Sequence, residues 1–466
     1  MKKLLLFAFT FIGLGLFAQN TWVQLGAGTE FSAGIQSDGT LWTWGRNLNG
    51  QLGQGDNTIR TLPTQVGTEN DWEIISCGSF HTLAIKNDGT LWTWGFNDTY
   101  QLGLGNTNNY NTPIQIGTDI DWVSVNAGYG HSHAIKSDGT LWGWGWNLYG
   151  QVGNNSTVDV TEPILIGTDT DWDITDSGAA HTAALKTDGT LWVWGFNANS
   201  QLGLIGATDI YLPTQLGTGT WKDISCGYEY SSGIKNDGTL WAWGFNGSGQ
   251  LGIGNTTQAD EPTQVGTNND WTVIRSGAVS NFAINSTSEL YATGSNQYGT
   301  LGDGSGADQS SFIYITDDVD MVYKSNGAAG NVGVFGLHTF LLRNSSKDVI
   351  CATGANYTSQ IGDGLTDNVL TFNCNVGDLN SVGLFTEQND KLFKVFPNPA
   401  TDFATIEFNA ENPAEFILYN TSGAQVLMQK ILSGESVTFE SLEKGIYFYE
   451  LVQEKGSVQK GKLIIN

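Results

Sequence analysis

"NDGTLWTWGFN" occupies residues 87–97, and nearly the same string returns about fifty residues earlier and about fifty later. Asp88 begins the turn in this copy; Asp38, Asp138, Asp188 and Asp237 do so in four others. Asp-Gly tolerates positive φ, so it marks a tight turn between two strands. Trp92 and Trp94 stand two residues apart, which puts both on one strand face and leaves Leu91 and Thr93 on the other. An aromatic face repeated in register is first a packing device. Each unit carries a surface that its neighbour can bury.

Seven copies can be laid in register. Five read DGTLWxWGxN; the sixth is reduced to TSELYATGSN (287–296) and the seventh to KDVICATGAN (347–356). Leu41, Leu91, Leu141, Leu191, Leu240, Leu290 and Ile350 mark the beat, with steps of 50, 50, 50, 49, 50 and 60 residues. A Gln-Leu-Gly triplet or a variant follows each, as at 51–53 and 101–103. A tryptophan opens each of the first six units (Trp22, Trp72, Trp122, Trp172, Trp221 and Trp271), and Met321 fits that slot in the seventh. Each unit reads as four short strands; for the second copy they are WEIIS, HTLAIK, TLWTWG and PTQVG. Such units at this period suggest blades. The expected fold is all-β, a seven-bladed β-propeller.

Composition agrees. Glycine (61) and tryptophan (17) are abundant and only 14% of residues are charged, which favours a turn-rich β protein over a helical one. The chain opens MKKLLLFAFTFIGLGLFAQN, with Lys2 and Lys3 ahead of an apolar run from Leu4 to Phe17 and a small Ala18. This pattern predicts a secretory signal peptide over 1–18. The run is short for a membrane span, and no later segment is long and apolar enough to be one. Net charge is −26, so phosphate backbones are repelled and nucleic acid is not an expected partner.

From Lys391 the period stops and alternating segments take over: FATIEFN, EFILYN, SVTFESL, GIYFYELV and KGKLIIN. Alternation means half-buried strands, and about 75 residues of it suits a small C-terminal β-sandwich. The expected domains are a leader (1–18), a propeller (19–377), a linker (378–390) and the sandwich (391–466).

Two resemblances follow from these motifs. Gly-x-x-His-[Thr/Ser], DGTLWxWG and Asn-x-x-x-Gln-Leu-Gly together resemble the regulator-of-chromosome-condensation repeat, over roughly Thr21 to Gly377. The resemblance implies a seven-bladed propeller that serves mostly as a recognition scaffold, in a family that includes a secreted β-lactamase inhibitor. The tail, with FPNPATD, LYNTSGAQV, LEKGIYFYELV and a final GKLII, resembles the C-terminal sorting domain of bacterial type IX secretion. It implies a partner, the type IX machinery, and a secreted or cell-surface product, from which the tail is often removed.

Chemistry is sparse. His81, His131, His181 and His338 share one slot, but Phe31, Tyr230 and Ser280 fill it in other copies. Bonding to a neighbouring strand explains that slot better than a metal ring, whose ligands must converge on one ion. Asp119-x-Asp121 and Asp169-x-Asp171 lack the Asp-x-Asp-x-Asp-Gly pattern of a calcium loop, and GAAGNVG (327–333) lacks the Gly-Lys-Ser/Thr of a phosphate loop. No catalytic residue, metal or cofactor is expected. Cys351 and Cys374 both fall in the seventh unit, where export permits a disulfide.

In a repeat protein, slots that differ between copies are where specificity can sit. The loop between the first and second strands reads Thr29-Glu30, Ser79-Phe80, Tyr129-Gly130, Ala179-Ala180, Tyr228-Glu229 and Ala278-Val279. A second divergent slot holds Arg46, Phe96, Trp146, Phe196 and Phe245, whose aromatics are also suited to packing between blades. The candidate ligand contacts are Glu30, Phe80, Tyr129, Tyr228 and Glu229, gripping an extracellular protein or glycan without catalysis. Two alternatives stand. One is a polysaccharide lyase or hydrolase, which needs an acid–base pair at the centre. The other is guanine-nucleotide exchange, the activity of the family's eukaryotic founder, which an exported chain has no GTPase to serve.

Overall fold

The computed structural model describes residues 20–325, most of 329–376, and the strands of the tail between 393 and 465. The leader (1–18), the linker (378–390) and part of GAAGNVG lie outside the described residues. Every regular element among the described residues is a strand. The chain divides into two compact units, Met1–Gly377 and Asp378–Asn466.

The first unit is a series of antiparallel meanders. In the second copy Trp72–Cys77, His81–Lys86, Leu91–Gly95 and Tyr110–Gln115 pair in chain order. The PTQVG segment therefore does not close this sheet. Trp42 and Thr43 pair with Gln65 and Thr64, so the strand belongs to the sheet before it. Periodicity gives the spacing of strands but not where one sheet ends and the next begins. The fourth and fifth units depart from the pattern: one strand, Ile210–Cys226, serves both and makes a seven-stranded sheet. This is the place where the repeat step is 49 instead of 50, and the connecting loop has been drawn into a continuous strand. In the seventh unit Val319 pairs with Arg343 as Trp271 pairs with Asn285. Val319, not Met321, therefore fills the tryptophan slot.

The DGT turn is built by its own side chains. Asp88 Oδ1 accepts hydrogen bonds from the Thr90 amide (3.0 Å) and hydroxyl (2.6 Å), and Trp92 Nε1 donates to Thr90 Oγ1 at 2.8 Å. These bonds hold the Asp88 carboxyl below its usual range. Gly89 has φ +77°, and a Cβ there would stand 2.1 Å from the Ile120 carbonyl oxygen. The turn thus requires glycine twice over, for its conformation and for its close contact.

Trp94 shows how units join. It is fully buried, and its indole N–H donates to the Gln51 carbonyl of the preceding unit at 2.9 Å. Thr82 Oγ1 donates to the same carbonyl at 3.1 Å. The Gln-Leu-Gly triplet therefore supplies a backbone acceptor to the next sheet. Trp144, Trp194 and Trp243 repeat the bond to Gln101, Gln151 and Gln201. Trp44 makes it to Gln360, which joins the last unit to the first. The Ala27–Ser325 bridge and the Trp44–Phe340 edge contact (5.7 Å) join the same two units.

In the tail, Phe393–Phe396, Phe403–Phe408 and Glu435–Thr438 form one sheet. Gln425–Ile431, Ala414–Tyr419, Gly445–Val452 and Val458–Ile465 form another. Ile406 and Val437 of the first share a buried cluster with Phe416, Leu418, Leu451 and Leu463 of the second.

Cys351 and Cys374 are disulfide-linked across the third and fourth strands of the seventh unit. Cys77 and Cys226 are buried thiols, and burial pushes both above the ordinary thiol range.

Candidate binding face

The loops between first and second strands lie at one end of the sheets. Each loop bonds to the next: Thr29 N to Ser79 O (3.0 Å), Ser79 N to Gly128 O (3.3 Å), Tyr129 N to Gly178 O (3.3 Å), Ala179 N to Tyr228 O (3.2 Å) and Tyr228 N to Ala278 O (3.2 Å). A second set of bonds ties each loop to the segment after the WG pair: Arg46 N to Glu30 O (2.9 Å), Phe96 N to Phe80 O (2.9 Å), Trp146 N to Gly130 O (2.8 Å) and Phe245 N to Glu229 O (3.0 Å). The two divergent slots are therefore neighbours in every one of these units, which their separation of 16 residues does not announce.

Aromatic side chains run along this rim. Phe80 meets Phe96 edge-on at 6.4 Å. Tyr129 meets Trp146 at 6.2 Å, Trp146 meets Tyr149 at 5.6 Å and Tyr149 meets Phe196 at 4.6 Å. Tyr129 is 37% exposed, so this chain of rings is open to solvent in part, and Phe245 in the fifth unit is 36% exposed. Tyr129, Ala179, Tyr228 and Ala278 line a shallow pocket along it. Sequence reading did not single out Tyr149. Its slot holds Asn49, Thr99, Asn199, Ser248, Tyr298 and Thr358 in the other units, a divergence at the same period that would have flagged it.

Glu30 differs from expectation. It is buried, and its carboxylate pairs with the Arg46 guanidinium. Arg46 is the half-buried group at that point, standing 5.8 Å over the Phe80 ring. Glu229 occupies the equivalent slot in the fifth unit, where Phe245 replaces the arginine. Its carboxylate is half-buried, and burial pushes it above the usual glutamate range. Burial and the neighbouring Glu229 raise the Tyr228 phenol as well.

The four slot histidines face inward between units. His81 Nε2 bonds Ser132 Oγ at 3.1 Å, His131 Nε2 bonds Thr182 Oγ1 at 3.1 Å, His181 Nε2 bonds Ser231 Oγ at 2.9 Å and His338 Nε2 bonds Ser32 Oγ at 2.9 Å. Each partner is a hydroxyl of the next unit, with the last returning to the first. Among the described residues, no group of three or more His, Cys, Asp or Glu is placed to hold a metal ion.

The first strands line an open cavity that sequence reading missed altogether. Gln24, Ser76, Asn126, Arg275 and Tyr323 face it. Asp176 and Lys324 face a continuation with many of the same walls. Glu73 also lines the cavity and is exposed, whereas Asp176 and the nearby Asp223 are bonded into the walls. Asp176 accepts from Asn126 Nδ2 (3.0 Å), Ser225 Oγ (2.9 Å) and the Cys226 amide (2.9 Å). Asp223 pairs with Arg275 at 2.9 Å.

At the opposite end stand the DGT hairpins, and the acid pairs lie there. Lys136 Nζ sits 4.7 Å from the Trp122 ring and 5.0 Å from Trp142. Asp119 and Asp121 cap it at 2.6 and 3.1 Å. Asp169 and Asp171 cap Lys186 in the same way, as Glu69 and Asp71 cap Lys86. These carboxylates hold an ammonium.

The chain belongs to the regulator of chromosome condensation (RCC1) repeat family, whose repeat matches residues 38–85, 88–135, 138–185, 188–234 and 237–284. Residues 394–466 match the secretion system C-terminal sorting domain. That tail directs type IX secretion, to the cell surface or the extracellular space. A search of curated proteins finds no match. Among the solved structures that share the fold are the following three. Human WBSCR16 is 22% identical, with TM-score 0.60, over 66% of this chain and 86% of that one. Prp20p from Saccharomyces cerevisiae, described with its binding properties to Gsp1p and histones, is 18% identical with TM-score 0.61, over 70% and 84%. A structure of Kap60 bound to yeast RCC1 (Prp20) gives 17% identity and TM-score 0.63, over 81% and 86%.

Proposed function

We propose that this chain is an exported, non-catalytic recognition protein. In this reading a closed seven-bladed propeller presents one loop rim to an extracellular protein or glycan, and a small β-sandwich tail engages the type IX machinery. One observation carries it. Trp44, Trp94, Trp144, Trp194 and Trp243, which the first five units share, are buried between sheets, whereas Phe80, Tyr129, Trp146 and Tyr149, whose slots differ between units, gather on one partly exposed rim. Aromatic rings with polar edges are suited to such contacts, because they offer large area at low cost in side-chain freedom. Phe80, Tyr129, Tyr228 and Glu229 are the proposed contacts; Glu30 serves by holding Arg46. The bonded state of Asp176 and Asp223 leaves Glu73 as the one unbonded carboxylate among the described lining residues, which favours this reading over a hydrolase or lyase that needs an acid–base pair at the centre.

The test uses the full mature chain on a glycan array and in pull-downs from outer-surface extracts. Replacing Phe80, Tyr129 and Tyr228 together by Ala abolishes specific capture in this account and leaves the fold intact. Unchanged capture refutes the rim as the binding face.

A further inference from the structure

The first and fifth units carry the same acid at the same place with different neighbours. Glu30 accepts the Arg46 amide on its backbone oxygen at 2.9 Å, and Glu229 accepts the Phe245 amide at 3.0 Å. Among the paired slots only these two loops offer a carboxylate. In the first unit the carboxylate is answered from within the chain, and the guanidinium of Arg46 lies between Glu30 and the Phe80 ring. In the fifth unit the arginine is replaced by a phenylalanine that is 36% exposed. No hydrogen bond or ion pair to the Glu229 side chain is made among the described residues. The carboxylate is left half-buried beside Tyr228.

We propose that Glu229 and the aromatic groups beside it receive an arginine side chain from a protein partner. The proposal rests on the rim being the binding face, and it narrows the ligand from protein or glycan to a protein with an exposed basic residue. Three physical points support it. A partly desolvated carboxylate without a cation is unfavourable, and an incoming guanidinium relieves it with charge-assisted hydrogen bonds. Aromatic faces add cation–π attraction, more for the planar guanidinium than for most groups. The chain's net charge of −26 speeds the approach of a basic partner. The Glu30–Arg46–Phe80 arrangement is the same recognition carried out inside one molecule.

The probe is the blocked tripeptide acetyl-Gly-Arg-Gly-amide, with its citrulline counterpart as a neutral isostere. Peptide NMR line broadening is read against the full chain at physiological salt. The wild-type chain broadens the arginine peptide and not the citrulline one. Glu229→Gln removes the charge. Phe245→Arg recreates the internal pair and fills the site. Each weakens binding at least about tenfold, whereas Glu162→Gln, an exposed acid elsewhere, does not. Three results overturn the proposal: equal loss from Glu162→Gln, unchanged binding in both site variants, or no broadening of the arginine peptide up to about 10 mM. Failure here, with the Phe80, Tyr129 and Tyr228 replacement still abolishing macromolecular capture, would leave the rim as the binding face and remove only the arginine.

Discussion

Trp92 and Tyr129 are both ring side chains near the end of a sheet, and their surroundings are opposite. Trp92 is fixed by Thr90 at 2.8 Å and by the Lys86 ammonium 4.6 Å from its ring. Trp142 and Trp192 repeat both contacts. Tyr129 touches Trp146, is 37% exposed, and has no counterpart in the neighbouring copies. The hairpin end repeats through the first five units because each must make the same turn and bury the same rings. The loop end varies because its residues are not needed to close the sheets, so it is free to carry recognition.

The largest effect expected on the repeated half is acid sensitivity. Burial holds His81 and His338 down to about 3 and His133 and His181 to about 4, and holds His131 well below its ordinary value. All five are neutral in the folded chain, while the unfolded chain takes up protons near the ordinary value of 6.5. Their contribution is complete above about pH 6.5 and is lost as pH falls toward their folded values, by about 1.4 kcal/mol per histidine per pH unit. Denaturant unfolding between pH 6.5 and 5 should show a steep fall. A flat profile over that window would mean that these rings are not buried as described.

A smaller effect sharpens the comparison at the hairpin end, where one unit breaks the rule. Lys235 lies 5.2 Å from Trp221 and 3.5 Å from Trp241, yet the shortened connection before it supplies Gly219 and Thr220 in place of the acid pair. Desolvation pulls its ammonium below the ordinary lysine value. In Lys136 and Lys186 the same desolvation is outweighed by the hydrogen bonds their ammonium groups donate to the aspartates, which hold both above it. Lys235 should therefore acylate several-fold faster than Lys136 or Lys186 with acetic anhydride near neutral pH, read by peptide mass spectrometry. A Cβ on Gly219 would stand 4.0 Å from Lys235 Nζ in ordinary contact. Gly219→Asp should slow the reaction toward the rate of its sister lysines, and equal rates in the wild type would contradict the comparison.

Much of this architecture was legible in the chain. The Asp-Gly turns, the paired tryptophans and the fifty-residue beat identify the units, and alternation identifies the tail strands. What was not legible is phase and depth. The PTQVG strand closes the sheet before the one it was assigned to, because a period is the same whichever strand starts the count. The seventh unit's tryptophan slot is hard to place from the chain alone, because Val319 fills it and no aromatic residue marks it. Glu30 looked like a ligand contact, and only the fold brings Arg46, 16 residues on, against it. The Lys–acid clamps were missed although Lys86, Lys136 and Lys186 each follow their outer acid by 17 residues. The lining of the central cavity shows no repeated residue type, so nothing in the sequence marked it.

The division between a repeated scaffold and a variable rim is tested most directly by unfolding two variants of the full chain side by side in guanidinium chloride. Trp94→Ala removes a fully buried ring and its bond to Gln51, and should cost about 3–5 kcal/mol. Tyr129→Ala combined with Tyr228→Ala removes two rim rings and should cost less than about 1 kcal/mol. Comparable losses in the two variants would contradict the account, because the rim would then be part of what holds the protein together.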